Sequence, residues 1–300
     1  MSAGVAQLFD VPGPRGRMLQ RVAAGVLIVI ALGLGAAVLW KLAERGNLAP
    51  AKWSPFLTSD VWQFYIVPGL INTLYAAAIS IALASVLGLL LALGRLSPIA
   101  PVRWVASVFV EFFRAVPVLV MMLLSFWGYL AFAGLPSAYL PLAGVVTGLT
   151  LYNSCVLAEL LRSGVLSLPK GQAEAGLSIG LTQGQTLMAV QLPQALRAML
   201  PALVGQLVVI LKDTALGYQI LYAELLRQAE RIGSAYFNIV PALIVIALIY
   251  IAINFALTSF ATWLEHRLTT HGHVAGGVQG ADPTVGMDDP YRSSVTTARR

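Results

Sequence analysis

The sequence predicts an all-α protein that crosses a membrane several times. Of the 300 residues, 58% are hydrophobic and only 11% are Asp, Glu, Lys or Arg, and the mean hydropathy is +0.80. A soluble domain carries roughly a quarter charged residues, so this chain has too few to cover a water-facing surface. Its charge-free runs also reach the length of about 20 residues that a helix needs to span the bilayer core. Together these observations favour a multi-pass membrane protein.

The composition argues against several other classes. Cys155 is the single cysteine, so it cannot form an internal disulfide, and no Cys/His cluster has the spacing of a metal site. The net charge of +6 could indicate a nucleic-acid-binding protein. The basic residues are scattered among apolar segments rather than gathered on one stripe, however, which argues against that interpretation. We expect neither a metal nor a nucleic-acid partner, and we expect membrane lipid around the helices.

Six membrane spans are expected from the charge-free runs. The first covers 22–40, and the second covers about 68–94, before Arg95. The run 115–158 is long enough for two helices, and the turn residues 134–137 together with Pro141 separate it into a third and a fourth span. The fifth and sixth spans cover about 198–222 and about 239–264. An even number of spans places both termini on the same side of the membrane.

The side on which the termini lie is predicted from the positive charges of the short loops. More Lys and Arg residues lie in the loops on the side of the termini than in the opposite loops, so both termini are predicted to be cytoplasmic. The first span could instead be a cleaved signal peptide, because Arg15, Arg17 and Arg21 precede it. Its apolar run is longer than the about 7–15 residues typical of such peptides, which favours a retained helix.

These expectations divide the chain into four parts. Residues 1–21 form a cytoplasmic N-terminal segment, and residues 22–66 form an extra transmembrane helix with an extracytoplasmic segment. Residues 67–268 form a transmembrane domain that includes a cytoplasmic loop at 166–197. Residues 269–300 are rich in Gly, Thr, Ser, Asp and Pro and have no apolar period, so a disordered cytoplasmic tail is expected.

The longest polar stretch between spans, 162–197, has a more regular pattern than a linker would have. After a turn at 169–171, apolar residues recur at roughly helical spacing among Gln, Ser and Thr, namely Ala173, Leu177, Leu181, Leu187 and Val190. This pattern predicts short amphipathic helices outside the bilayer, with Pro193 ending the last of them. A loop that only lies on the membrane surface is the alternative.

Part of this stretch resembles the EAA loop of the permease subunits of ABC importers. The positions that carry the resemblance are Glu174, Ala175, Gly176, Gly180, Val190, Leu192 and Pro193. Further segments resemble the polar amino-acid permease subfamily for histidine, glutamine and glutamate, namely INTLYAA at 71–77, VEFFRAVPVLV at 110–120, AELLRSGV at 158–165, LPKGQ at 168–172 and LKDTAL at 211–216. The resemblance covers about 68–268. It departs from the family pattern at Gly176, where Ala is usual, and in the added first helix.

The resemblance implies a type I ABC importer fold, with a five-helix permease core plus one N-terminal helix. It also implies that the loop forms a coupling helix on a separate ATPase, with Glu174 as the polar anchor and Gly180 allowing close backbone approach. Val190, Leu192 and Pro193 would shape the exit of the loop toward the fifth span. No GxxxxGK[ST] motif is present, so ATP is expected on the partner subunit, with no cofactor and no catalysis on this chain.

Several charged and polar side chains fall inside or beside the predicted spans. An unpaired charge at the centre of a spanning helix costs about 2.5–3.5 kcal/mol, so such residues are expected to be paired or to face a cavity. They are therefore candidates for the substrate path, and the set is Glu111, Arg114, Asn153, Ser154, Glu159, Arg162, Lys212 and Asp213.

The spacing of the charged candidates predicts how they pair. Two Glu/Arg pairs have a spacing of three residues, so each pair can neutralise itself on one helix face; they are Glu111 with Arg114 and Glu159 with Arg162. Lys212 and Asp213 are adjacent and point to different sides of their helix, so they need partners on other helices.

The fourth span carries polar and small residues that allow two interpretations. Asn153 and Ser154 could bind the ammonium or carboxylate of an amino acid, or could form helix-packing contacts. Gly144 and Gly148 have the spacing of a GxxxG motif, which favours close helix packing.

The resemblance implies a bacterial plasma-membrane assembly with ABC ATPase subunits, an identical or paralogous permease subunit and an extracytoplasmic substrate-binding protein. Residues 7–17 and the added helix resemble actinobacterial glutamate permease subunits, which favours glutamate over glutamine, aspartate or a basic amino acid. The charges of the candidate residues do not identify the substrate, because three acids match the cations Arg114, Arg162 and Lys212 in number. An ion-coupled secondary transporter and a membrane anchor that recruits a cytoplasmic partner are the competing classes.

Overall fold

The computed structural model describes residues 13–270, and this part of the chain is helical with no β-strand. The longer helices are α1 (Pro14–Glu44), α2 (Val67–Arg95), α3 (Ala100–Ala115), α4 (Val118–Gly128), α5 (Leu140–Leu166), α6 (Lys170–Ser178), α7 (Leu192–Asp213), α8 (Leu225–Tyr236) and α9 (Ile239–Thr270). Short helical turns connect them at Pro50–Trp53, Ser54–Leu57, Ser59–Val61, Trp62–Ile66, Tyr129–Ala133, Gln183–Thr186, Leu187–Gln191 and Thr214–Ile220. Residues 1–12 and 271–300 lie outside the described part, and with them most of the expected tail.

Five helical stretches are long and apolar enough to cross a membrane. They are Gly16–Glu44, Ser59–Arg95, Leu140–Leu166, Gln183–Ile220 and Ile239–Phe260. A bent pair of helices supplies a sixth span if the pair is counted as one. The predicted fold class, an all-α membrane protein with about six spans, is therefore confirmed.

The third span differs in shape from the prediction, which began it at Ala115. Ala100–Ala115 and Val118–Ala133 meet at an angle of 100°. Pro117 lies at the bend, and both it and Val116 are extended, with ψ of 135° and 127°. Proline lacks an N–H donor and disfavours helical geometry in the residue before it, so the helix stops and restarts there. The third span is therefore a bent pair of helices rather than one straight helix from Ala115.

Helix α5 lies at the centre of the packed helices. Of its most apolar window 56% is buried, against 33% or less for the other four candidate spans. Helices α2, α3, α4 and α7 pack against it, and its glycines allow the closest of these contacts. At Gly144 and Gly148, an added Cβ would lie within 3.0 Å of Ile220 and of Met122 respectively. The GxxxG interpretation as close helix packing is confirmed.

Helix α1 is exposed, whereas the segment that follows it packs against other helices. The apolar window of α1 is entirely exposed, as expected for a helix surrounded by lipid or by a partner. The next segment instead packs on α8 and α9, because Phe56 and Val61 share an apolar cluster with Ile232. The Lys52 ammonium also donates to the Phe237 carbonyl. The part of 22–66 that follows α1 is therefore continuous with the helical core.

A buried carboxylate fixes the start of α8. Glu224 accepts hydrogen bonds from the backbone N–H groups of Leu226 and Arg227, both at 2.6 Å, and from the Tyr250 hydroxyl at 2.7 Å. Burial raises the pKa of the Glu224 carboxyl above its ordinary value, although these hydrogen bonds oppose the shift. The Asn72 amide of α2 donates to the Ala223 carbonyl at 2.9 Å. These contacts hold α8 against α2 and α9, at the end of α7 opposite the 166–197 loop.

Candidate functional site

The loop between α5 and α7 contains the short helices that the sequence predicts. Helix α6 is followed by Gly180 in the left-handed region, with φ of +87°, where the chain reverses. Thr182 then caps the turn Gln183–Thr186 through a reciprocal pair of hydrogen bonds with Gln185, at 3.3 Å and 2.9 Å.

The sequence predicts that Pro193 ends this series of helices, and this prediction is wrong. The turn Leu187–Gln191 continues directly into α7, and Pro193 occupies the first turn of that helix. The wide helical turn just before Pro193 lets the chain continue past a residue that has no N–H to donate. The loop therefore passes into the fifth span as one continuous helical stretch.

Gly176 packs so closely on its neighbours that a side chain would not fit there. It is buried, and an added Cβ would lie 2.6 Å from Thr186 Cγ2 and 2.8 Å from Thr186 Oγ1. Glycine at this position is therefore matched to threonine at 186. The departure from the usual family pattern is explained by this packing of α6 on the turn Gln183–Thr186.

We expect Gly176→Ala to loosen the loop, because overpacking of this kind costs about 1–2 kcal/mol. Amide hydrogen exchange over 170–191 should become faster. A second change, Thr186→Ala, should restore the original exchange, since it removes the two atoms, Cγ2 and Oγ1, that the new methyl group would approach within 3.0 Å. Gly184→Ala is the matched control, because its Cβ would meet nothing within 4 Å. Equal exchange in Gly176→Ala and Gly184→Ala would contradict this packing.

The seven predicted loop residues divide by exposure. Glu174, Ala175, Gly180 and Pro193 are exposed, Val190 is half-buried, and Gly176 and Leu192 are buried. Beside the exposed residues of α6, Leu177 is 46% exposed and Ile179 is 78% exposed. The loop therefore presents an apolar surface edged by the Glu174 carboxylate, beyond the ends of the spans.

A network of five charged side chains joins α2, α3 and α5. The Glu159 carboxylate is shared by three arginines: it pairs with Arg95, lies 3.5 Å from Arg114 and lies 3.3 Å from Arg162. The Arg95 guanidinium also lies 3.5 Å from Glu111. The predicted pairing of Glu159 with Arg162 is confirmed.

The predicted pairing of Glu111 with Arg114 is wrong. Each residue instead pairs with a partner on another helix, Glu111 with Arg95 and Arg114 with Glu159. The reason is that α3 packs against both α2 and α5, which brings oppositely charged groups to it from two sides. Local spacing along one helix could not reveal these partners.

A cleft of about 350 Å³ opens at the bend between α3 and α4. The bend itself, 115–118, forms one wall, and α5 and α7 form the other. The polar side chains that line the cleft are Arg114, Tyr152, Gln206 and Asp213. It therefore presents a cation, a carboxylate and neutral hydrogen-bonding groups in one place.

The other candidates from the fourth and fifth spans lie outside the lining of this cleft. Lys212 is exposed, and within residues 13–270 neither it nor Asp213 forms an ion pair. Asn153 is buried, donates to the Leu149 carbonyl at 2.8 Å and accepts from the Gln206 amide at 2.7 Å. Asn153 therefore acts behind the cleft, as a support for Gln206.

Ser154 is also buried, and its hydroxyl donates to the Leu151 carbonyl at 3.0 Å. Three residues of the site, Arg95, Tyr152 and Gln206, are not among the candidates that the sequence predicts. Gln206 carries a visible signal, because it is an amide within the otherwise apolar run 201–211. Across the described residues, no group of three or more His, Cys, Asp or Glu side chains could hold a metal.

Comparisons with known proteins match this architecture. The family described as "Binding-protein-dependent transport system inner membrane component" matches residues 84–270. The glutamate transport system permease protein GluD of Corynebacterium glutamicum is 48% identical over 227 residues, which are 76% of this chain and 83% of that protein. The L-cystine transport system permease protein TcyB of Bacillus subtilis is 36% identical over 239 residues, with 79% and 94% covered.

Solved structures agree with these relatives. A crystal structure of an amino acid ABC transporter with histidines is similar with a TM-score of 0.61 at 33% identity, over 67% of this chain and 92% of that one. The methionine ABC transporter MetNI in an inward-facing conformation has a TM-score of 0.60 at 19% identity, over 70% of this chain and 99% of that one, which shows a shared fold.

Proposed function

The chain belongs to the family of binding-protein-dependent transport system inner membrane components, and from that premise we propose that it is the permease subunit of an ATP-driven importer of glutamate. The observation that carries the substrate is the 48% identity to a glutamate permease over 76% of the chain. Its relatives also include permeases for glutamine, aspartate and cystine, which supports a polar amino acid as the substrate class. The subunit lies in the inner membrane as a multi-pass protein, with both termini in the cytoplasm.

In this proposal the loop 170–191 docks on a separate ATPase subunit. Its exposed Glu174 and Ala175 lie beside the apolar side chains of Leu177 and Ile179, a combination suited to an interface with an apolar centre and a polar rim. The close contact of Gly176 keeps α6 against the turn Gln183–Thr186. Because the loop is continuous with α7, displacement of α6 by the ATPase would move the fifth span.

The proposed substrate path passes through the cleft at the bend between α3 and α4. Its volume of about 350 Å³ is within the range of pockets that hold small ligands. Arg114 would bind the side-chain carboxylate of glutamate, and Asp213 would bind the ammonium group. The helix also restarts at Val118, which lines the cleft, so the N-terminal end of its dipole lies beside the cleft and favours an anionic group there.

Three further partners complete the proposed assembly. A second permease subunit, identical or paralogous, would cover the open side of the cleft and face the exposed Lys212. An extracytoplasmic binding protein would deliver the amino acid at the membrane face where α8 lies. ATP would be hydrolysed on the ATPase partner, with no cofactor on this chain.

The test is to purify the tagged chain gently from its native membrane and identify what accompanies it by mass spectrometry. We expect an ATPase with the wild-type chain, and a loss of roughly tenfold or more in Glu174→Lys, since a charge reversal at an interface leaves groups unpaired. ATP-driven uptake should fall with it. Glu44→Lys is the matched control, because it reverses an exposed charge near the opposite membrane face.

Two outcomes would contradict the proposal in different ways. An ATPase that stays bound and coupled in Glu174→Lys would remove the role assigned to the loop. A wild-type chain that carries no ATPase even after crosslinking, with uptake that follows an ion gradient, would instead favour a secondary transporter.

A further inference from the structure

The network around Glu159 is not electrically neutral. It contains the arginines Arg95, Arg114 and Arg162 but only two carboxylates, those of Glu111 and Glu159. An arginine in a protein stays protonated, so the five side chains together carry one surplus positive charge. The candidate residues predicted from the sequence have a net charge of zero. Arg95, which is not among them, adds the surplus positive charge.

Arg95 holds both carboxylates of the network although it lies away from the cleft. Its side chain is 7% exposed, and it pairs with Glu159 on α5 and with Glu111 on α3. A charge buried to this degree keeps its partners closely, because separation would leave it unpaired in a medium of low dielectric constant.

Arg114 is only weakly paired with the carboxylates of the network. Arg114 has one contact, at 3.5 Å, with a Glu159 carboxylate that also serves Arg95 and Arg162. Its side chain is 43% exposed and lines the cleft. The surplus positive charge of the network is therefore presented to the cleft through Arg114.

We propose that Arg95 is a positioning residue that gives the cleft its preference for an anionic amino acid over a neutral one. By occupying Glu111 and Glu159, it leaves the Arg114 guanidinium available to the side-chain carboxylate that glutamate has and glutamine lacks. Asp213, which also lines the cleft, matches the ammonium group that every amino acid carries. The inference rests on the proposed function, because it concerns selection within the same path.

The test compares glutamate with glutamine, which have nearly the same shape and differ by one negative charge. Both are measured for binding to the purified permease–ATPase assembly without binding protein, and for ATP-driven uptake by the complete assembly in vesicles. We expect Arg95→Gln to lower the ratio of glutamate to glutamine affinity about five- to tenfold, the effect of one unit charge acting over about 10 Å. Arg95→Lys, which keeps the charge, should retain most of the ratio.

A second pair of variants separates charge from packing. Arg95→Gln combined with Glu111→Gln removes one cation and one anion, so the surplus charge returns and the ratio should recover to within about twofold of wild type. A residue needed only for packing would not be rescued by the loss of a second side chain. Glu111→Gln alone raises the surplus charge and should raise the ratio, so the proposal stays testable if Arg95→Gln does not assemble.

An unchanged ratio in Arg95→Gln, no recovery in the double variant, or an unchanged ratio in Glu111→Gln would each overturn the role of Arg95. These results would leave the proposed function intact, because wild-type uptake would still require ATP. Absence of ATP-driven uptake in the wild-type assembly would contradict the proposed function and this inference together.

Discussion

Glu159→Gln is expected to lower the stability of the assembly by about 2 kcal/mol, or roughly 5 °C in melting temperature. The carboxylate of Glu159 is the common partner of three arginines, so its neutralisation leaves Arg95 with only the 3.5 Å contact to Glu111. Arg95 is buried and cannot turn to water instead. The measurement is thermal unfolding of the purified assembly in one detergent.

Glu111→Gln is the matched control, since it makes the same chemical change in the same network. Its side chain is 70% exposed and has a single 3.5 Å ion pair, so the expected loss is below about 1 kcal/mol. Equal losses in the two variants would show that Glu159 is not the centre of the network.

The fold class could be predicted from the sequence, but the shape of the third span could not. Charge-free length locates a helix that can cross the bilayer and says nothing about a bend within 115–134. Pro117 gave a signal for the bend, because it restricts Val116 to extended geometry. The signal was outweighed by the apolar run around it. As a result, the wall of the cleft was mistaken for the start of a straight helix.

In the candidate site, too, the sequence predicts contacts within one helix but not contacts between helices. The Glu159–Arg162 pair lies on one helix, so its spacing predicts it. Arg95 lies 64 residues from Glu159, and it looks in the sequence like the ordinary end of a span. Only the packing of α2 and α3 against α5 makes it a buried member of the network. The loop could be placed from its spacing, whereas the match of Gly176 to Thr186 is a tertiary contact.

The largest single loss is expected from Gly148→Ala, because its methyl group would meet backbone as well as side chain. The added Cβ would lie 2.8 Å from Met122 N and 2.9 Å from Met122 Cα, so α4 as a whole must move away from α5. Stability should fall by about 3 kcal/mol, and transport should fall more than tenfold, because α4 begins at the edge of the cleft. Thermal unfolding and uptake measure the two effects.

Two other glycines serve as controls. Gly144→Ala should lower stability less, since its nearest neighbour is the flexible end of Ile220, and Gly128→Ala, with nothing within 4 Å, should not lower it. If Gly148→Ala behaves like Gly128→Ala, then α4 does not pack on α5 at this distance, and the cleft beside it must have a different wall.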